Sequence, residues 1–249
     1  MACAESLEDE IVFYQNTWDS LLNRLKGELT DQDFFAGSMM YDALGFLTEE
    51  KDCEPLKEAV LAADSGKDLE KILNGGLLDV AAFPYQDDAI LDQVRSVMKA
   101  AGLSMPESFF IQHFRKGMYL GAEGWRCALG RTAGRDEALV EHVLYLYGDS
   151  FRLALLESEG LEAARVETPA PERAERCVNR AIQFAKETGM IPEEWAGEAE
   201  VADAAFRNAE GDAFVMIEIT CSQDGRSLVC QALVSPDTDV VAEARLFAR

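Results

Sequence analysis

The sequence has few of the features that identify common enzymes and metal proteins. It contains two histidines in 249 residues, neither in an HxH, HExxH or ExxH pattern, which excludes most recognisable zinc and di-iron sites. It has no Walker-type GxxxxGK[ST] loop, GxGxxG fingerprint or GxSxG elbow. Its six cysteines include no CxxC pair, so we interpret them as reduced thiols that pack as small hydrophobic side chains. We predict no cofactor.

Positive charge is also scarce. The chain has 23 basic and 46 acidic residues, a net charge of -23, which disfavours nucleic acid and anionic lipid as partners. The N-terminal MACAESLEDEIVF has carboxylates where a signal peptide needs basic and then apolar residues, and no run reaches the roughly 18 to 20 apolar residues of a membrane-spanning helix. We therefore predict a cytoplasmic protein with neither nucleic-acid nor membrane partners.

Apolar residues at alternating spacings of four and three predict a long amphipathic helix at the N-terminus. They are Leu7, Ile11, Tyr14, Trp18, Leu21 and Leu25. Such a seam packs against another helix. We favour a helix of the same chain as its partner, and the alternative is a homodimer. Thr30 and Asp33 have the spacing of a capping box that starts a second helix. Further helices are predicted at 55–63, 67–73 and 87–101.

The middle of the chain is also predicted to be helical. Ser104, Pro106 and Glu107 have the order of a helix start, which predicts a helix ending at Gly130 and a further helix over 136–148. In residues 151–167, periodicity does not separate helix from strand. These patterns predict a mainly helical domain, an N-terminal helical bundle, over residues 1–166.

The C-terminal part has a different character. Pro169 and Pro171 predict a linker over 166–171, followed by a helix over 172–188. The strongest β signal predicts a hairpin over 213–235, in which Asp224 and Gly225 form the turn and Val215 pairs with Val234. Further strands are expected at 200–207 and 240–248, both with helical alternatives. The predicted fold class is α+β: the helical bundle, then an α/β domain over 172–249 with a covering helix and a small antiparallel sheet between 198 and 248.

The first candidate site is a basic, glycine-rich stretch, HFRKGMYLGAEGWRCALGRTAGR, at residues 113–135. On the predicted helix, Gly117, Gly121, Gly124 and Ala128 form a stripe of small residues that another helix could approach. The predicted binding residues are Arg115, Tyr119 and Arg126 on the outward face, with Arg131 and Arg135 in the following loop. We expect this face to bind an acidic surface, either of the protein's own second domain or of a protein partner.

A second candidate is an acidic cluster with a histidine. Glu137 and Glu141 lie one predicted helical turn apart, and His142 follows directly, so the three could form a metal or acid/base site. Adjacent residues diverge by about 100° around a helix, however. A solvated helix face is therefore the favoured interpretation.

One short segment has a resemblance to a known family. Ala205-Phe206-Arg207-Asn208-Ala209-Glu210-Gly211-Asp212, leading into a strand that ends in Ile217-Glu218-Ile219, resembles the closing strands of vinyl-reductase-type small-molecule-sensing domains. Where that family often has cysteines, this chain has Ala205 and an Ala213-Phe214-Val215 run. The resemblance implies a ligand-sensing function.

Three functions follow from these observations. The favoured one is a non-catalytic binding or regulatory protein that acts through protein–protein or small-effector contacts. The alternatives are an enzyme whose site is assembled from dispersed Glu, His and Arg residues, and a sensor with an apolar ligand pocket beneath the hairpin.

Overall fold

The computed structural model describes residues 7–44, 54–74, 88–119, 122–133, 137–159, 170–198, 200–209, 212–223 and 226–248. Its α-helices are α1 Leu7–Leu25, α2 Asp31–Leu44, α3 Glu54–Ala62, α4 Gly66–Asn74, α5 Asp88–Ala101 and α6 Pro171–Glu187, and a short 3-10 helix spans Glu193–Glu198. Its strands are β1 Ser108–Tyr119, β2 Ala122–Thr132, β3 Ala138–Tyr147, β4 Arg152–Ser158, β5 Glu200–Ala209, β6 Asp212–Gln223, β7 Arg226–Val234 and β8 Val241–Ala248. Over these ranges, no helix combines the length and apolarity needed to cross a bilayer.

The strands form one antiparallel sheet in the order β1-β2-β3-β4-β8-β7-β6-β5. Each half of the sheet is a four-stranded meander preceded in sequence by a helix, α5 for the first meander and α6 for the second. The antiparallel pair β4–β8 joins the meanders, with Leu156 opposite Ala244. The chain therefore uses the same order of elements, a helix and then four strands, twice.

The predicted fold class is wrong. The chain is α+β, but the described residues form a large eight-stranded sheet rather than an N-terminal helical bundle followed by a small hairpin. The error lies in residues 108–147, where β1 to β3 replace the predicted helices, whereas β4 lies in residues 151–167, where periodicity did not separate helix from strand. In β3, Val143 and Tyr145 are half-buried, while Leu144 and Leu146 are buried. Burial therefore alternates from one residue to the next, as it does on a strand. Apolar residues are so dense in this segment that they also fit a helical period.

The N-terminal helices agree with the sequence analysis. Trp18, Leu21 and Leu25 of the predicted seam are buried in a core shared with α2, and Trp18 Nε1 donates to Gly37 O at 2.6 Å. The capping box is confirmed: Asp33 N donates to Thr30 Oγ1 at 3.2 Å, and Thr30 N donates to Asp33 Oδ2 at 3.3 Å. The C-terminal half of the seam therefore packs within the chain. The side chains of Leu7, Ile11 and Tyr14 lie outside the described part, and the homodimer stays a prediction.

The hairpin prediction is confirmed for the described strands. β6 and β7 pair Val215 with Val234 and Cys221 with Leu228. Cys221 and Cys230 are thus diagonal neighbours, and both are free thiols. The predicted turn residues, Asp224 and Gly225, lie outside the described ranges. The expected strands at 200–207 and 240–248 are also present, as β5 and β8.

The described residues group into two compact units. The first lies within residues 1–87, 106–116 and 125–140, and the second within 88–105, 117–124 and 141–249. In the first, α1 to α4 share a core with Phe110 of β1 and Ala128 of β2. In the second, α6 packs against β6 and β7. Its predicted stop, Gly189, follows directly after the C-cap residue Thr188, and its φ of 71° suits glycine. Residues 160–169 are not described, so the linker at 166–171 stays a prediction.

Candidate functional site

The predicted basic face does not lie on a helix. Arg115 and Tyr119 belong to β1, Arg126 and Arg131 belong to β2, and Arg135 lies outside the described residues. Arg126 and Arg131 are five residues apart, so on a regular strand they point to opposite faces. Arg131 is exposed, whereas Arg126 is half-buried and its Nη1 has no hydrogen-bond partner. The helical geometry proposed for this face, including its glycine stripe, is wrong, and its binding role stays a prediction.

The predicted acidic cluster is also on a strand. Glu137 precedes β3, and Glu141 and His142 are consecutive residues within it, so their side chains point to opposite faces of the sheet. Among the described residues, no group of three or more His, Cys, Asp or Glu side chains is arranged to hold a metal ion. The three residues therefore do not form the metal site that was considered for them.

His142 lies opposite Ser158 in the β3–β4 ladder. His142 is 7% exposed, and both its Nδ1 and the Ser158 Oγ are buried without a hydrogen-bond partner. A hydrogen bond between these two atoms would give each of them a partner. Since neither atom has one, His142 and Ser158 are not hydrogen bonded to each other. Burial lowers the pKa of His142, and the charge of Glu141 opposes this shift. The pair thus lacks the nucleophile–base contact of a catalytic serine.

The described cysteines are buried. Cys127, Cys177, Cys221 and Cys230 are free thiols. Burial raises the pKa of both Cys127 and Cys230 to about 12 and also raises the pKa of Cys177. Since the thiolate is the reactive form, Cys127, Cys177 and Cys230 are poor nucleophiles at neutral pH.

The arginines of α6 are bound within the second unit. Arg173 and Arg176 contact Asp237 and Asp239 at 2.6 and 2.8 Å, and Arg180 Nε donates to Asp239 O at 3.1 Å. Their spacing places them on one helix face, and the acidic turn that they hold follows β7. The sequence analysis missed this contact, although the spacing of the arginines and the SPDTD motif were both visible signals.

A more promising feature is one face of the sheet in the second unit, which we call the outer face. It consists of Val143 and Tyr145 of β3, Leu155 and Glu157 of β4, Glu243, Arg245 and Phe247 of β8, Val229, Gln231 and Leu233 of β7, and Phe214, Met216 and Glu218 of β6. The sequence predicted the strands β6, β7 and β8, but it did not predict β3 and left β4 undecided between helix and strand, so this face was not recognised.

The two faces of the sheet differ in exposure. On the inner face, Leu156, Ala244 and Ile217 lie in one cross-strand row and are each at most 1% exposed. On the outer face, Phe247 is 41% exposed, and Tyr145 and Met216 are half-buried. Phe247, Tyr145 and Met216 are therefore accessible to water, whereas Leu155 and Val229 of the same face are at most 8% exposed.

Polar contacts on the outer face hold its charged side chains in place. Arg245 contacts Glu157 at 2.7 Å and Glu243 at 2.8 Å, and Gln231 Nε2 donates to Glu218 Oε2 at 2.8 Å. The three carboxylates outnumber the single guanidinium group. The outer face is thus an apolar surface with a net negative charge and side chains ordered in advance of binding.

Comparisons with known proteins give no relative: no family model, curated protein or solved structure matches the chain.

Proposed function

We propose that this protein is a non-catalytic binding or regulatory protein that docks another protein on its outer face. The observation that carries the proposal is the composition of that face. An antiparallel sheet with a solvated face usually carries polar side chains there. Here Tyr145, Phe247, Met216 and Leu233 are all partly accessible. Accessible apolar side chains of this kind, interspersed with ordered charged groups, suit contact with another protein.

The residue types support the same function. Aromatic residues, methionine and arginine are enriched in protein interfaces, and Tyr145, Phe214, Met216, Arg245 and Phe247 share the outer face. Because Arg245 is already held by two carboxylates, little side-chain entropy is lost when a partner covers it. The excess of carboxylates favours a partner whose apolar patch is flanked by basic residues.

The alternative functions have less support. The sensor would need a ligand pocket beneath the hairpin, but Val215, Ile217 and Ile219 on its inner face are at most 3% exposed. The enzyme would need its dispersed residues to meet, but Glu141 and His142 point to opposite faces of β3, and the thiols of Cys127, Cys177 and Cys230 have raised pKa values.

Photo-crosslinking in the host cell tests the proposal. A photoreactive phenylalanine analogue at Phe247 should give a discrete cross-linked protein, and Glu243→Lys should reduce the yield of that product. The matched control is the same analogue at Leu61, an exposed apolar position of α3 that is 60% accessible. Identical products from positions 61 and 247, or a yield unaffected by Glu243→Lys, would contradict docking on the outer face.

A further inference from the structure

Two buried polar atoms of the first unit have no hydrogen-bond partner. They are Oε1 of Gln112 on β1 and Nη1 of Arg126 on β2. Gln112 is 2% exposed, and Arg126 is half-buried. A buried polar group without a partner costs free energy, most of all when it is charged. Folded proteins rarely leave such groups unpaired, and neither residue belongs to the outer face.

Arg126 lies on the face of β2 that packs against the helices of the first unit. Ala128 is buried in the core formed by α1 to α4, and a Cβ atom on Gly130 would lie 3.0 Å from Cε2 of Phe35 in α2. Since side chains alternate between the two faces of a strand, Arg126 shares this face with Ala128 and Gly130. Among the residues that the structure describes, Arg126 has no ion-pair partner.

Gln112 lies on the same face of the neighbouring strand. Phe110 belongs to the same helical core as Ala128, so Gln112, two residues further along β1, also faces the helices. Arg126 precedes Ala128 by two residues, and in an antiparallel pair both displacements run towards the connection between β1 and β2. The side chains of Gln112 and Arg126 therefore lie near each other at the margin of the core, but Oε1 and Nη1 are not hydrogen bonded to each other.

The two unpaired atoms define the groups that would satisfy them. Nη1 of Arg126 is a charged donor, for which a carboxylate or a phosphate is a strong acceptor. Oε1 of Gln112 accepts a hydrogen bond and therefore needs a donor. The net charge of -23 repels a phosphate dianion more strongly than a single carboxylate. A carboxylate with a donor on its α-carbon, as in an α-amino or α-hydroxy acid, provides both groups.

We propose that Arg126 and Gln112 bind an α-amino or α-hydroxy acid with an apolar side chain. Arg126 binds the carboxylate, and Oε1 of Gln112 accepts a hydrogen bond from the α-ammonium or α-hydroxyl group. The nearest core residues on the same face, Phe110 and Ala128, are apolar and fully buried, so a polar ligand side chain would lose its hydration there without a partner. Because Arg126 is only half-buried, the ligand reaches it from solvent.

Calorimetric titration of the full chain with a matched series of acids tests the site. Leucine, phenylalanine and leucate, the α-hydroxy analogue of leucine, carry both polar groups and should bind. Isocaproate lacks the α-donor, and leucinamide lacks the carboxylate. Each of these two should bind at least about tenfold more weakly than leucine, which corresponds to a loss of about 1.4 kcal/mol or more. Comparison of leucine with leucate identifies the preferred donor.

Two variants assign the contacts to their residues. Gln112→Leu should lower the affinity for leucine to that for isocaproate, because both changes remove the same hydrogen bond, and should leave the affinity for isocaproate nearly unchanged. Arg126→Gln should abolish the binding of every carboxylate in the series. The matched control is Arg95→Gln, which removes the same charge from an exposed ion pair with Asp92 and should bind like the wild type.

Equal binding of leucine, isocaproate and leucinamide would show nonspecific apolar attraction and would overturn the proposal. If none of leucine, phenylalanine and leucate binds the wild type, Gln112 and Arg126 are satisfied within the chain and the proposal is wrong. The acid series uses only the wild type, so these outcomes do not depend on whether a variant folds. Cross-linking at Phe247 probes a different unit, so failure there is distinguishable from failure here.

Discussion

Arg245 of β8 donates a hydrogen bond from Nη2 to Oε1 of Glu157 on β4, over 2.7 Å. This contact crosses the strand pair that joins the two meanders. Glu157 also lies directly opposite Glu243 in the same ladder, and Arg245 contacts both carboxylates. The guanidinium group therefore separates two like charges that would otherwise face each other across neighbouring strands.

We expect an asymmetric result when this contact is broken. Arg245→Gln should lower the free energy of unfolding by about 0.5 to 1 kcal/mol, because it leaves Glu157 opposite Glu243 and because both ion pairs are partly screened by water. Glu157→Gln should change it by less than about 0.3 kcal/mol, because that change also removes the repulsion. Urea unfolding of both variants measures the difference. A larger loss for Glu157→Gln than for Arg245→Gln would contradict this account.

The described cysteines should be unreactive in the folded protein. Burial raises the pKa of Cys127 and Cys230 to about 12, so almost no thiolate of these two residues is present at pH 8. All four described thiols are also buried, which keeps a reagent away from them. In a Cys3→Ser/Cys53→Ser variant, a thiol reagent should modify these four cysteines only after denaturation. Oxidation should form no bond between Cys221 and Cys230, because they are diagonal in the ladder. Native-state labelling, or a mass two hydrogens lighter after oxidation, would contradict the prediction.

The sequence predicted those features that depend on residues close to one another along the chain. The Thr30–Asp33 capping box is a local hydrogen-bonded unit, and the β6–β7 register follows from a short turn between apolar runs. Helices α1 to α6 were all anticipated at nearly their observed positions.

The first meander was missed for a physical reason. Ser104, Pro106 and Glu107 have the order of a helix start, but strand β1 begins at Ser108. Strand pairing depends on contacts between distant residues, such as Leu156 with Ala244, and no local pattern records them. The outer face requires β3, β4 and β8 beside β6 and β7, so it could not be recognised while the segment of β3 was interpreted as helical and the segment of β4 was undecided.

His142 should make stability depend on pH. Burial lowers its pKa in the folded protein, below the value of about 6.5 expected in the unfolded chain. As pH falls, His142 of the unfolded chain therefore binds a proton before His142 of the folded protein does. The stability that neutral His142 contributes is fully present above about pH 6.5. It is lost as pH falls from 6.5 towards the pKa of the folded protein.

Unfolding of wild type and His142→Gln at pH 7.5 and pH 5.5 tests this prediction. The wild type should lose more stability between the two values than the variant does, and the contributions of other groups, including His113, cancel in the difference. Equal losses would show that His142 does not titrate in this manner.

Arg180 should contribute more to stability than an exposed arginine does. It is partly buried on α6 and donates to Ala100 O at the end of α5 and to Asp239 O in the turn before β8. Arg180→Ala leaves both carbonyl groups without this donor, and we expect a loss of about 1 to 3 kcal/mol in the free energy of unfolding.

The matched control is Arg95→Ala, since Arg95 pairs with Asp92 on the exposed surface of α5. Loss of the Arg95 side chain should lower the free energy of unfolding by less than about 0.5 kcal/mol. Because lysine is a single-point donor that cannot bridge two carbonyl groups as a guanidinium fork does, Arg180→Lys should recover only part of the loss. Equal effects of Arg180→Ala and Arg95→Ala in urea unfolding would show that the bridge from α6 to α5 and the turn adds no stability beyond that of a surface pair.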